Sequence, residues 1–403
     1  MKILGIETSC DETAAAVVED GVKILSNVVV SQIDIFAEYG GVIPEVAARS
    51  HLEAILPVID KALADAGCGW GDIDAIAVTH APGLLGSLLI GTLTARTLAI
   101  LHNKPLYAVH HLKSHVYANW LNGGVQEQAS ACPVFPLLAL VVSGGHTQIL
   151  YMPGHNQFEI IGTTRDDAVG ECFDKVAKIL GLPYPGGPSI ARAALDGDAN
   201  KYKFPHPKVG GLDFSFSGLK TAVLRTVQKE VDVPISYPSH KLKELLTPNQ
   251  VADFAASFQK TAAEILVEKL KMALSQYPDV RSIVVAGGVS ANQELRALIS
   301  GLTFSSAGLE NSGTSYAGQQ GEPPATQANL SVSSGIYVPE FSNQTVMPTK
   351  KLSPDIGTFF PGLPLAGDNG AMVAAACYFE IQSGVEPVDP YRVNIYPRIS
   401  IEG

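Results

Sequence analysis

One pattern occurs twice in this chain and restricts its fold more than any other. Residues 3–7 form an apolar run that breaks at Thr8-Ser9-Cys10-Asp11-Glu12 and resumes over residues 13–18. Far downstream, Leu137–Val142 breaks at Ser143-Gly144-Gly145-His146-Thr147 and resumes over residues 148–152. Short apolar runs hinged on small polar residues predict β-hairpins, and Lys23–Ser31 predicts a third strand after the first hairpin. The same unit at the head of each half predicts a duplicated, two-lobed architecture. A length of 403 residues also exceeds an ordinary single core.

Composition removes several classes. Apolar content of 46% with 17% charged residues excludes a disordered chain. The first residues meet acidic groups early, and the most apolar helical stretch, residues 87–101, is short and carries Arg96. Neither a secretion signal nor a membrane span is predicted. Five scattered cysteines (Cys10, Cys68, Cys132, Cys172, Cys377) without a CxxC pair fit reduced thiols of the cytoplasm and no zinc ribbon. A net charge of −11 opposes indiscriminate nucleic-acid binding, although residues 201–281 hold twelve Lys/Arg against eight Asp/Glu. That region reads either as a solvated helical surface or as one that touches a phosphate backbone. No GxxxxGK[ST] stretch occurs, which excludes a P-loop kinase or ATPase.

The remaining periodicities place the lobes. Residues 47–67 predict a helix with Leu52, Ile55, Leu56, Ile59 and Leu63 on its apolar face. A buried strand follows at 75–79, then a helix ending at His102 and a strand at 105–109, completing a first lobe over residues 1–121. A polar loop, 122–136, leads to a second lobe over 137–302. There helices are predicted at 166–180, from Ser189, after Phe214–Lys220 and at 248–274, with a strand at 283–286 and a helix from Gln293. Residues 303–353, rich in Ser, Gly, Pro, Gln and Asn, predict a flexible insertion without its own core. The return segment, 354–403, carries Asp368 and a final helix, 368–403, expected to pack back on the first lobe.

Several side chains carry chemistry. In His110-His111-Leu112-Lys113-Ser114-His115, a helical turn puts His111 and His115 on one face. Such a pair suits a transition metal, or it is a polar helix start whose histidines bond to backbone. Glu does not follow the first histidine, so this is not an HExxH peptidase. Asp11 and Glu12 at a strand turn read as a phosphate or metal-water loop, or as a turn bonded to backbone. The glycine turn at 186–188 opens a helix whose start favours anionic or polar ligands, and the one at 287–288 stands where an α/β fold admits a nucleotide, or each merely connects elements. Asp368, at a helix start, reads by itself as an N-cap.

Taken in series, these motifs resemble a known family. They are Ile6–Thr13, His110-His111 with His115, Val141–Thr147, Gly186-Gly187-Pro188, Phe214–Lys220, Gly287-Gly288-Val289 with Asn292, and Asp368-Asn369 with Met372. Together they are similar to the tRNA N6-adenosine threonylcarbamoyltransferases (bacterial TsaD type), formerly described as O-sialoglycoprotein endopeptidases. The likeness covers nearly the whole chain outside the insertion. It implies an α/β actin-like, sugar-kinase-like fold with a ligand cleft between the lobes. It also implies transfer of threonylcarbamoyl from threonylcarbamoyl-AMP to an adenosine N6 amine beside the anticodon of tRNAs that read codons beginning with A, releasing AMP.

The resemblance further implies one divalent metal, Fe(II) with Zn(II) as the rival, held by His111, His115 and Asp368. Substrate contacts would fall at Val141, Val142, Ser143, Gly144, Gly145, Asp174, Gly187 and Asn292, with Asp11 and Glu12 as catalytic carboxylates. Implied partners are tRNA, a non-catalytic paralogue and a small ATPase, with no membrane. Three departures stand out: Ala191 where many members place Asp, Ala366-Gly367 where Cys-Thr is usual, and the insertion. The rival readings are a small-molecule kinase or O-carbamoyltransferase of the same superfamily and a non-catalytic scaffold. The two histidines together with Asp368 point to carbamoyl chemistry rather than plain phosphoryl transfer, and a scaffold has no need for a metal. Acceptor choice separates transfer to tRNA from transfer to small hydroxylated compounds.

Overall fold

The two hairpins grow into two sheets of one design. In a computed structural model describing residues 1–121, 132–305, 308–310 and 356–402, Lys2–Glu7 (β1), Glu12–Glu19 (β2) and Lys23–Ser31 (β3) form an antiparallel meander. Ala75–Ala81 (β4) pairs parallel with β1 on its other side, and Leu106–His110 (β5) pairs parallel with β4. The order is therefore β3-β2-β1-β4-β5. Parallel neighbours need crossovers, and Pro44–Asp65 (α2), preceded by Ile33–Tyr39 (α1), and Leu85–His102 (α3) supply them.

The second sheet repeats the scheme. Leu137–Val142 (β6), Thr147–Met152 (β7) and Glu159–Thr163 (β8) form the meander. Ser282–Ala286 (β9) joins β6 in parallel, and Gly357–Phe359 (β12) joins β9, giving β12-β9-β6-β7-β8. Strand senses and neighbours match the first sheet one for one, so the duplication visible in the sequence extends to five strands. This is the actin-like two-lobed α/β fold. Between β9 and β12, Thr303–Ser305 (β10) and Gly308–Glu310 (β11) form a separate antiparallel pair.

Five layers result. On the outer face of the first sheet, Ile55 and Ile59 of α2 and Ala95 of α3 pack on Leu4, Ile6 and Val78. On the outer face of the second sheet lie Val169–Leu180 (α5), Gly186–Ala193 (α6), Ser217–Glu230 (α7), Pro248–Gln276 (α8) and Gln293–Ser300 (α9). Between the sheets sit His111–Tyr117 (α4) and Gly370–Gln382 (α11), with the short Leu363–Ala366 (α10) before the latter. Leu112, Val116, Met372 and Val373 there share one core with Ile3 and Ala77 of the first sheet and Leu137 and Val284 of the second. Backbone contact seats α11: a Cβ on Gly370 would lie 2.5 Å from Ala16 N, and one on Gly5 would meet the Gly370 carbonyl.

Some expectations need correction. The helix predicted at 47–67 begins at Pro44 and ends at Asp65, and Leu52 and Leu56 stand 64% and 55% exposed. Its buried face runs through Ala47, His51, Ile55, Val58, Ile59, Ala62 and Leu63, which keeps the predicted Ile55, Ile59 and Leu63 inside and leaves Leu52 and Leu56 outside. The helix predicted at 166–180 begins at Val169, because Asp166 binds Phe216 N and Ser217 Oγ at the start of α7. The helix expected from Ser189 starts at Gly186. The final helix ends at Gln382, and an irregular tail follows. The return segment is divided, with β12 in the second sheet and α11 against the first. Residues 122–131 of the predicted loop, and 306–307 and 311–353 of the predicted insertion, lie outside the described residues. Helix α3 is long and apolar enough to cross a membrane by composition, yet Leu88, Ala95 and Ala99 are buried within the first lobe.

Candidate metal centre and substrate cleft

Chain direction at the end of β5 places two imidazoles. His110 Nδ1 accepts a hydrogen bond from Leu112 N at 3.2 Å, capping α4 so that His111 and His115 fall on one face with ring centroids 4.5 Å apart. Asp368 arrives from the start of α11. The N-cap there is Asn369, whose side chain accepts from Met372 N at 2.9 Å, so the carboxylate of Asp368 is not used as a cap. Its Oδ1 lies 3.0 Å from His115 Nε2 and 3.6 Å from His111 Nε2.

Behind His111 stands Glu7, which is fully buried at the end of β1. Its Oε2 accepts from Thr79 Oγ1 at 2.6 Å and lies 3.2 Å from His111 Nδ1. Ser9 Oγ lies 3.2 Å from the same nitrogen. A carboxylate on Nδ1 turns the Nε2 lone pair toward Asp368, the arrangement found behind metal-ligating histidines.

The donors present suit a metal. His115 is 1% exposed, and among the described residues neither ring nitrogen makes a hydrogen bond of proper geometry, despite the charge contact to Asp368. Orphaned buried imidazole nitrogens are rare unless an ion takes them. The ligand atoms of His111, His115 and Asp368 all lie within 4.8 Å of one another. Two imidazoles and one carboxylate fit a divalent ion of the iron or zinc type and leave positions for substrate. Burial would push the His111 imidazole down, but Asp368 and Glu7 hold it up at about 9. Burial alone would raise Asp368, yet the histidines bring it to about 2. An ion would therefore replace the proton that His111 carries without one.

The triad opens into a cleft of about 1400 Å³ between the lobes. On its first-lobe wall is the turn bearing Asp11 and Glu12, held from outside by His51 and Gln32 among others. His51 Nε2 lies 3.0 Å from Cys10 O, His51 Nδ1 lies 2.8 Å from Thr13 Oγ1, and Gln32 N donates to Asp11 O at 3.0 Å. Burial, then the charges of Asp11 and Asp368, raises the Glu12 carboxyl well above its usual range; burial raises Asp11 too. A carboxylate poised in this way accepts a proton near neutral pH better than an ordinary one.

On the second-lobe wall, Ser143, Gly144 and Gly145 form a turn closed by Ser143 N to His146 O at 2.8 Å. Among the described residues nothing lies within 4 Å of where a Cβ would stand on Gly144, Gly145 or Gly187, so ligand can approach the backbone on that side. Asp174 faces the cleft and accepts from Gly186 N at 2.6 Å, with burial raising its carboxyl. Asn292 also lines it, but its side chain caps α9 through Leu295 N at 3.1 Å and donates to Gln259 Oε1 at 2.8 Å. Ala191 lies on the same wall. Val141 and Val142 do not line the cleft. As the last residues of β6 they are fully buried, their side chains pointing into the cores on either side of the sheet.

Sequence reasoning missed Glu7, His51, His146 and the C-terminal tail. Glu7 left one signal, a carboxylate ending an otherwise apolar buried strand. His146 lines the cleft, with burial and the two ligand histidines lowering it to about 4.

Known proteins resemble this chain in sequence and in fold. Residues 23–307 match the sequence model of the family described as TsaD, tRNA N6-adenosine threonylcarbamoyltransferase. A protein of that name from Caldicellulosiruptor bescii is 42% identical over 401 residues, covering 100% of this chain and 98% of the relative. Another, from Bacillus subtilis, is 48% identical over 303 residues, 74% of this chain and 81% of the relative. Among solved structures, HypF of T. kodakarensis aligns with 95% of this chain and 48% of its own at 14% identity and a TM-score of 0.53, a likeness of fold alone. The chain belongs to the tRNA N6-adenosine threonylcarbamoyltransferases and is a transferase that modifies tRNA.

Proposed function

We propose that this enzyme moves the threonylcarbamoyl group of threonylcarbamoyl-AMP to the N6 amine of the adenosine beside the anticodon, in tRNAs reading codons that begin with A, and releases AMP. The observation that carries the reading is the opening of the His111–His115–Asp368 triad and the Asp11–Glu12 turn onto one cleft. The donor is a mixed carbamic–phosphoric anhydride with a good leaving group, and the acceptor is a poor nucleophile. The protein's task is to orient the two and stabilise developing charge.

In this reading Ser143, Gly144, Gly145, Asp174, Gly187 and Asn292 seat the adenylate, while Val141 and Val142 fix the turn from behind. His111, His115 and Asp368 hold the divalent ion, Fe(II) in first place and Zn(II) second. Bound there, the ion supplies Lewis-acid stabilisation of phosphate or acyl-oxygen charge. As the amine attacks the carbamoyl carbon, the C–N bond forms and the C–O bond to AMP breaks. The amine proton passes to Glu12 or Asp11.

Partner binding has support in the surface. Leu52 and Leu56 of α2 and Leu85, Leu89 and Leu93 of α3 are exposed apolar groups, a surface suited to the non-catalytic paralogue. A small ATPase completes the complex, which works in the cytoplasm. The test is transfer of labelled threonylcarbamoyl from the adenylate to tRNA. Wild type should transfer, and His111→Ala should lose metal and activity together. Transfer to small hydroxylated acceptors but not to tRNA would replace this reading with an O-carbamoyltransferase.

A further inference from the structure

After α11 the chain returns to the cleft along a tethered path. Val388 N donates to Leu106 O at 2.8 Å on the edge of β5, Tyr396 N donates to His80 O at 3.0 Å, and Gly83 N donates to Pro397 O at 3.3 Å. Beyond them Ile401 is 2% exposed in the core between the sheets, and Glu402 Oε1 accepts from Ile160 N of β8 at 2.8 Å. The tail thus runs from the first sheet to the second, and residues 397–401 form one wall of the cleft.

Arg398 stands on that wall. Among the described residues lining the cleft it is the single lysine or arginine, whereas carboxylates come from Asp11, Glu12, Glu171, Asp174 and Asp368. Its guanidinium is exposed and has no ion-pair or hydrogen-bond partner among the described residues. An arginine beside an acidic rim and yet unpaired, on backbone fixed at both sides, is available to a ligand. A guanidinium fork fits phosphate oxygens two at a time. An acidic cleft repels a polyanion unless a cation offsets that field.

Position separates the two phosphates that could meet it. Pro397 is bonded to Gly83, and the next residue, Leu84, donates from its N to Ser9 O at 2.8 Å, beside the Asp11–Glu12 turn. Asp174, Gly187 and Asn292 lie on the second-lobe wall. We propose that Arg398 contacts a backbone phosphodiester of the nucleic-acid acceptor and so admits the reacting adenosine to the cleft. The inference rests on the proposed function, in that the acceptor is an RNA.

The full-length chain with Arg398→Gln, compared with wild type in transfer to tRNA at several salt concentrations, tests it. The expected result is a KM for tRNA raised about five- to tenfold with a smaller change in kcat. The salt dependence of tRNA binding should flatten by about one ion, and metal content and AMP affinity should stay at wild-type values. Arg398→Lys should restore much of the salt slope while recovering less affinity, because the bidentate fork is lost. Unchanged tRNA KM and salt slope would overturn the inference. So would weakened AMP affinity with tRNA binding intact, which would assign the arginine to the donor phosphate. Failure of wild type to modify tRNA would sink the proposed function instead.

Discussion

Glu7 Oε2 lies 3.2 Å from His111 Nδ1, the ring nitrogen that faces away from Asp368. A fully buried carboxylate in that position fixes the ring and makes its other nitrogen a better donor. Glu7→Gln keeps the shape and removes the charge. Metal affinity should fall about 10- to 100-fold, measured by chelator competition, with circular dichroism unchanged. Wild-type affinity in this variant would reduce Glu7 to a packing role.

The Asp11–Glu12 turn leads to a kinetic expectation. Both carboxyls are raised by burial, and a group accepting the amine proton must be ionised. The transfer rate should therefore rise with pH through the titration of this pair. Glu12→Gln should lower kcat about 10²- to 10⁴-fold and remove the acidic limb of the profile, leaving metal content at the wild-type level. A parallel loss of metal would make the turn part of the ion site rather than the base.

Glycine contact between α11 and the β1–β2 hairpin carries the third expectation. A methyl group on Gly370, two residues along the chain from Asp368, would meet Ala15 and Ala16 backbone atoms of β2. Gly370→Ala should cost about 1–3 kcal/mol by overpacking and lower metal stoichiometry at the same time, read by thermal melting and metal analysis. A destabilised variant with full metal content would separate the seating of α11 from the placing of the carboxylate.

Glu380 of α11 supplies a pH dependence of stability. It is 5% exposed, and burial raises its carboxyl to about 7 despite Lys113 at 3.8 Å. The folded chain keeps this proton up to about pH 7, while the unfolded chain loses it near the ordinary 4.5. Stability from this group is full below about pH 4.5 and falls by roughly 3 kcal/mol as pH rises through 7. In urea titrations, Glu380→Gln should flatten that decline between pH 5 and 8. An unaltered slope would assign it to other groups.

What could be read in the sequence followed from local rules. Lys23–Ser31 and Leu137–Val142 fold over the predicted bounds because each is an apolar run with sharp polar ends. Helix α1 gave no periodic signal, since only Phe36 is buried in it, and β8 alternates too weakly to stand out. Apolar spacing on α2 placed Ile55, Ile59 and Leu63 inside, but Leu52 and Leu56 fall outside because the sheet contacts a face shifted toward Ala47, His51 and Val58.

The site divided in the same way. His111 and His115 are visible as a pair because one helical turn joins them, but Glu7 is brought to His111 only by the pairing of β1, β4 and β5. Asp368 reads as a cap until its neighbour Asn369 is seen taking that task. Val141 and Val142 share a motif with the cleft-lining Ser143–Gly145 turn, while strand alternation sends their side chains into the cores on either side of the sheet.

Helix α11 lies between the sheets and covers β1, a strand far removed from it along the chain. The apolar face of the first sheet is therefore covered in full only once a contact of very large sequence separation has closed. Such a long-range closure favours slow folding and a need for protection from aggregation meanwhile.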